Sequence, residues 1–479
     1  MISFDMGSGN SNVQEKVPET FQGYVECPVF SEDCSISLEK NHIVLAGRFR
    51  HLEVMYGEII TIHLTAYQLT LMTDSGQITI SRMGQKLQWL YQKLYAAFNE
   101  TVLEVFKVTG KALLELTGEY TAKEEGMLHG GPAQIRLYED CLCILPPNEN
   151  ARRLPLCFLK DAVVRNYTYE LQMHSGERIC LSKLGRELDI LDRQMTEQLH
   201  KLGKKTLEWQ KEVAPDISSM QAAYVAGLMP YGRGAQFQKI VEMAPGFSSA
   251  IDKQMKESRM AKSYPWLLEL CGGQDFWTGI LPAPKQDSLL ENMECLQDGN
   301  LELSKLSGLL NANKDESTSE VMPEKKAETV LWMLVPDKAK RIAAVELSLT
   351  ENEAAATYIY RIPGAWEDFA IQIDRALEAG EFDRQLIQLS EEQLRLPENL
   401  EKRMLVKRTP ALELLRKQFA GRAIHTSMDR WKKDIETCCN NTCITSSEKE
   451  KVMEKHCVTC GAKLQAGVKF CGQCGTRAI

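Results

Sequence analysis

The 479 residues leave room, at roughly 150 per domain, for about three domains, each long enough to bury a core. Hydrophobic residues at 44%, charged residues at 25%, and 31 Gly and 17 Pro exclude wholesale disorder, collagen and coiled-coil architectures, and the longest purely apolar run, Val330 to Val335, is too short for a spanning helix. A net charge of −8 excludes capture of nucleic acid or anionic lipid by bulk charge, so any basic site must be local.

The chain begins MISFDMGSGNSNVQEK, with Asp5 and no apolar stretch behind a basic start. It is expected to lack a secretory leader and to stay in the cytoplasm. An odd count of 15 cysteines in so long a chain reads as reduced thiols plus metal ligands rather than a disulfide framework.

Self-comparison gives one match at an offset of about 100 residues. SISLEKNHIVL from Ser35 aligns with QIRLYEDCLCIL from Gln134, and DSGQITISRMG from Asp74 aligns with HSGERICLSKLG from His174. In each copy a Ser-Gly pair, Ser75-Gly76 or Ser175-Gly176, lies between runs of period 2, which predicts a hairpin with Gly supplying the positive φ. An amphipathic helix follows in each: Leu87, Leu90, Tyr91, Leu94 and Phe98 in the first copy, Leu188, Leu191, Met195 and Leu199 in the second. Short strands closed by one helix resemble pleckstrin-homology-like domains over roughly residues 24–205.

That resemblance implies a phosphoinositide site in the first strand-loop-strand, where Lys40, Arg48 and Arg50 stand in copy one and Arg152 and Arg153 in copy two. Neither set is a dense cluster, and Glu39, Glu53 and Glu58 interrupt the first, so lipid binding ranks below the other readings. Cys141, Cys143, Cys157 and Cys180 fall in apolar alternation and read as small core residues.

From Ala214 to Glu328 prolines and glycines interrupt short helical patterns, which reads as an irregular connector whose polar stretch 311–327 is a flexible linker. Tyr231-Gly232-Arg233-Gly234 lacks the spacing of a phosphate loop and reads as a turn. VLWMLV from Val330, RIAAVELSL from Arg341 and ATYIYRI from Ala356 then predict three strands. Trp366, Phe369, Ala370, Ile373 and Leu377 mark a helix ending near Gly380, and Thr409-Pro410 opens another running through Phe419 to Gly421.

The most specific signal is HCVTCGAKLQAGVKFCGQCGTRAI at the end. Cys457 and Cys460, and ten residues on Cys471 and Cys474, place four thiolates in two tight turns that can enclose one tetrahedral Zn²⁺. The segment resembles the short zinc-ribbon modules at the ends of many bacterial proteins, and all four ligand positions match. Four thiolates close the shell, so the resemblance implies one structural Zn²⁺ that supplies the folding energy of a segment too small for a core. Cys438, Cys439 and Cys443 with His456 form a weaker second candidate, because adjacent cysteines chelate poorly.

No P-loop, HExxH, G-x-S-x-G elbow or complete dinucleotide fingerprint is present, so no catalytic residue or organic cofactor is assigned and the chain is read as a non-enzyme. Lys455, Lys463, Lys469 and Arg477 face no carboxylate side chain within residues 455–479, but a zinc tetrathiolate carries two negative charges, and only Phe470 is aromatic. Nucleic-acid binding by the ribbon therefore stands second to protein recognition.

The expected architecture is α+β and multidomain: PH-like repeats at 24–110 and 130–205, a helical connector and linker at 214–327, a third strand-helix domain at 328–436, a linker at 437–454 and the ribbon at 455–479. The expected function is that of an adaptor or scaffold.

Overall fold

The computed structural model describes residues 20–124, 127–273, 275–282, 329–348, 356–380 and 383–440. These form three antiparallel sheets with helices packed between them. The first two sheets are curled, and each has seven strands.

In the first, β1 (Thr20–Cys27), β2 (Phe30–Leu38), β3 (His42–Ala46), β4 (His51–Met55), β5 (Ile59–Leu64), β6 (Gln68–Thr73) and β7 (Gly76–Ser81) pair in the order β4-β3-β2-β1-β7-β6-β5, and α1 (Lys86–Val105) follows. The second has β8 (Leu114–Glu124), β9 (Met127–Leu137), β10 (Cys141–Leu145), β11 (Arg152–Pro155), β12 (Leu159–Arg165), β13 (Thr168–Met173) and β14 (Arg178–Ser182). Its order, β11-β10-β9-β8-β14-β13-β12, matches the first place for place, and α2 (Glu187–Val213) follows. The correspondence extends to backbone dihedrals. Arg82 and Gly84 (φ +60° and +57°) bend the chain from strand to helix in one unit, Lys183 and Gly185 (+58° and +59°) in the other. Glycine makes that left-handed bend at low cost.

Both units begin before the residues that carry the sequence match. β1 starts at Thr20 rather than 24, and β8 at Leu114 rather than 130. The second difference arises because Gly118, Gly130, Gly131 and Pro132 interrupt the alternation of the long β8–β9 hairpin, so its pattern does not read as strand.

The units pack tightly. Leu90, Leu94, Phe98 and Val102 of α1 are buried in the first core, while the Tyr95 hydroxyl donates to the Leu145 carbonyl of the second unit and Asn99 Nδ2 donates to Gln134 Oε1 at 3.0 Å. One helix thus serves both sheets.

The third sheet has the order β15-β16-β17-β18-β19-β20, built from β15 (Ala235–Gln236), β16 (Trp277–Pro282), β17 (Thr329–Asp337), β18 (Ile342–Leu347), β19 (Ala356–Arg361) and β20 (Phe419–Ile424). Both of its faces are covered. Trp332, Leu334, Val345 and Tyr358 point into the core shared with the first unit, and Leu331, Met333, Val335 and Ile359 point into a second core. Burial on both sides explains why VLWMLV is apolar throughout instead of alternating.

This arrangement changes the reading of 214–282. α3 (Ser219–Leu228), α4 (Phe237–Met243), α5 (Pro245–Glu257) and α6 (Tyr264–Cys271) cover one face of the third sheet, and β16 pairs with β17 along its whole length. The stretch is part of the third unit, not a connector. α2, 27 residues long, carries Leu188, Leu191 and Met195 into the second unit's core and Trp209 into the third's, joining the two by continuous helix. The linker expected at 311–327 lies outside the described residues.

Beyond β19 come α7 (Trp366–Ala379), α8 (Arg384–Gln388), α9 (Glu391–Leu394), α10 (Leu400–Arg408), α11 (Pro410–Gln418) and α12 (Met428–Asn440). α7 follows the expected stripe, but α11 ends at Gln418 and Phe419 opens β20, because the edge of β19 offers Phe419 to Ile424 a ladder of backbone partners. A buried polar knot fixes α12: Thr357 Oγ1 donates to Glu346 Oε2 at 2.6 Å and accepts from Trp431 Nε1 at 2.9 Å, and His425 Nε2 lies 3.1 Å from Glu346 Oε2.

Gly279 stands opposite Trp332 in the β16–β17 ladder, and a Cβ there would lie 2.3 Å from the indole nitrogen. The ring is buried and cannot step aside. Gly279→Ala is expected to destabilise the third unit by about 1–3 kcal/mol, read as a lowered urea midpoint, whereas a change within about 0.5 kcal/mol would contradict the close approach.

Candidate functional site

Each curled sheet has a corner where a single 3-10 turn, Tyr56–Glu58 in the first unit and Leu156–Phe158 in the second, links the fourth strand of the unit to its fifth. The hairpin turn carrying the Ser-Gly pair lies beside it. The third unit sends a helix to each corner. On the first, Arg403 of α10 donates to the Gly57 carbonyl at 3.2 Å and to the Asp74 carboxylate. On the second, Gln372 of α7 donates to the Ser175 carbonyl, and Arg375 donates to the Arg153 carbonyl at 2.8 Å.

The second corner gathers several charged side chains out of solvent. Glu378 accepts from Arg153 Nη1 at 2.5 Å on one oxygen and from Arg375 Nη1 at 2.6 Å on the other, and Asp140 lies 3.3 Å from Arg153 Nη2. Burial would weaken the Arg153 base, but Glu378 together with Cys141 and Asp140 outweighs it and holds the guanidinium above its ordinary pKa. Asp374, fully buried one residue before Arg375, accepts from the Gly234 amide at 2.9 Å through Oδ2, while Oδ1 has no donor among the described residues. Burial pushes its carboxyl up to about 7 despite the pull of Arg233. The same packing depresses His174 to about 4, through burial and then the charges of Arg233 and Lys160, and burial raises the Cys157 thiol well above its usual range. An imidazole of such low basicity and an un-ionised thiol are poor candidates for base and nucleophile at neutral pH. The arrangement instead clamps two units together around a carboxyl that titrates near neutrality.

These contacts decide the fate of the basic residues singled out for lipid. Arg152 is buried and Arg153 is engaged with Glu378, so neither is presented to a membrane surface. Lys40 precedes β3 and Arg48 and Arg50 follow it, which puts them at opposite ends of that strand, and Lys40 pairs with Glu104 at 3.7 Å. Arg48 instead covers the exposed Phe49 ring at 5.1 Å. The five residues do not converge on one site.

Among the cysteines, Cys141 and Cys143 are fully buried, as small core residues should be, while Cys157 and Cys180 are only partly covered. Cys438 packs into the second core against Gly421, and Cys439 lies beside it half-buried. Burial raises both thiols. Cys443 and His456 lie outside the described residues, as do the zinc-ligand candidates Cys457, Cys460, Cys471 and Cys474. No helix among the described residues is long and apolar enough to cross a membrane.

The clamp residues Asp374, Arg375 and Glu378 carried no signal in the sequence, since they fall on the side of an amphipathic stripe that ordinarily meets water. Gly234 belonged to a segment read as a turn, and it is the backbone amide of that turn that caps Asp374.

No curated protein matches this chain. Among solved structures, a chain of the Spt16D Pob3N heterodimer is similar over 33% of this chain and 84% of its own, at 14% identity and a TM-score of 0.15, a likeness that carries no argument about fold or partners. A local match bears on chemistry: residues 456–477 fit the zinc-ribbon domain, and this span includes all four cysteines set apart by their spacing.

Proposed function

We propose that this chain is a non-enzymatic, zinc-binding adaptor in which two tandem PH-like units and the third unit form one scaffold and the ribbon, holding a single structural Zn²⁺ on Cys457, Cys460, Cys471 and Cys474, recognises a protein partner. The observation that carries the reading is the division of labour along the chain. Every described unit is tied to another by buried contacts, and the ribbon match begins 16 residues after Asn440, the last residue of the helix that closes the body. The identical strand order of the two curled sheets supports descent from one repeated unit.

The test compares the full chain with a Cys457→Ser, Cys460→Ser variant. The parent is expected to hold one zinc per chain and the variant none, with the thermal unfolding of the body unchanged and a captured partner lost. Partner retention by the zinc-free variant would move recognition to the body and overturn the reading. Salt-dependent binding of DNA or RNA that disappears with the zinc would favour the nucleic-acid alternative, to which four cations and no carboxylate in residues 455–479 lend support.

A further inference from the structure

α10 ends where all three units meet. Ala151 of the second unit, Phe98 of the first and Met404 of the third lie in one buried cluster there. Arg408, the last residue of α10, is 3% exposed in the middle of it. Its Nη1 donates to the Met404 carbonyl at 3.4 Å, and the guanidinium sits 5.7 Å from the Phe98 ring centre. Nε and Nη2 are both buried and have no acceptor among the described residues. These two donors lie on the same edge of the guanidinium and form the parallel fork that takes two oxygens of one anion.

No described residue accepts from that edge, although the Glu149 carboxylate is near enough to favour the charge. Burial lowers the Arg408 pKa to about 10, still protonated at neutral pH, with Glu149 favouring the charge and Arg152 and Arg403 opposing it. Arg403 is engaged with Asp74, and Arg152 donates through Nη1 to the Ala151 carbonyl. A protonated guanidinium left with two buried, unmatched donors is costly unless something pairs with it. Neither donor is exposed, so an anion would have to displace the adjoining loop residues Pro147 to Asn150, which are only half-buried.

We propose that the Nε–Nη2 edge of Arg408, with Arg152 beside it, is the binding site of a small tetrahedral oxyanion of the phosphate or sulfate class, which ties the three units together at their common junction. The site stands independently of the ribbon and of the partner reading. Glu149 at the loop opposes the anion and limits its affinity.

The experiment uses the full chain in chloride buffer, with thermal unfolding followed against added sodium phosphate or sodium sulfate and against sodium chloride at matched ionic strength. The melting temperature is expected to rise with either oxyanion and to follow one-site linkage. Arg408→Met should weaken the response about 10- to 100-fold, the loss of two charge-assisted hydrogen bonds, and Glu149→Gln should tighten it several-fold. The second variant keeps the test open if the first does not fold. An equal rise with chloride, an undiminished response in Arg408→Met, or a response seen only in Glu149→Gln would each overturn the proposal, the last by making Glu149 the native partner. A rise with phosphatidylcholine vesicles containing phosphatidylinositol phosphate, but not with free phosphate, would likewise overturn it in favour of a headgroup.

Discussion

Glu378→Ala is expected to loosen the second curled unit from the rest of the body by about 3–5 kcal/mol, because it leaves two guanidiniums in the interface without their shared carboxylate. Arg153, Arg375 and Glu378 have side chains only 12%, 5% and 14% exposed, and both carboxylate oxygens are used. This places the triad outside the range of surface pairs, whose loss costs up to about 1 kcal/mol. The deletion should also separate one urea transition into two, since α7 no longer holds the second sheet's corner, and speed amide exchange in β11 and in the 3-10 turn beside it. Replacing the whole triad by apolar residues of similar volume should recover most of the loss, because nothing buried then lacks a partner. A single transition displaced by no more than a surface pair would mean that packing around Phe158, not the triad, holds the interface.

The parts of this fold legible in the sequence are those fixed by local rules. The Ser75-Gly76 and Ser175-Gly176 turns stand where expected, with φ of +130° and +93° at the glycines, because a tight hairpin demands a residue free to take positive φ. The stripes of α1 and α7 bury the residues their spacing marks. The zinc-ribbon match at 456–477 was legible for a similar reason, since metal geometry imposes a cysteine spacing that no core requires.

What escaped was set by distant partners. β16 was hidden among Pro and Gly because its identity as a strand depends on β17, whose first residue comes 47 residues after β16 ends. The long α2 was divided between a repeat and a connector because its two halves bury different faces in different cores. The clamp was illegible for the same cause: α7 reads as amphipathic, yet Asp374 and Arg375 opposite its apolar stripe are buried by the second unit and by the turn at Gly234. Sequence periodicity records one buried face and gives no sign of a second.

The buried carboxyl at that clamp should make stability fall as pH rises through the acid-to-neutral range. Asp374 carries its proton in the folded chain up to about pH 7, against an ordinary value of 3.8 in the unfolded one. Between those values the native state binds the extra proton, so raising the pH favours unfolding, and the penalty is complete above the folded pKa. A difference of about 3 pKa units corresponds to about 4 kcal/mol. Asp374→Asn mimics the neutral acid and can still accept from the Gly234 amide, so it should match the parent near pH 4 and exceed it increasingly up to about pH 7. The measurement is the difference in unfolding free energy between parent and variant across that range, in which the other carboxylates cancel. The gap should open between pH 4 and 7 and then hold level. A flat difference, or one that grows as the pH falls, would mean that Arg233 keeps Asp374 ionised throughout. The clamp would then be an ordinary ion pair rather than a contact that loosens as the pH approaches neutrality from below.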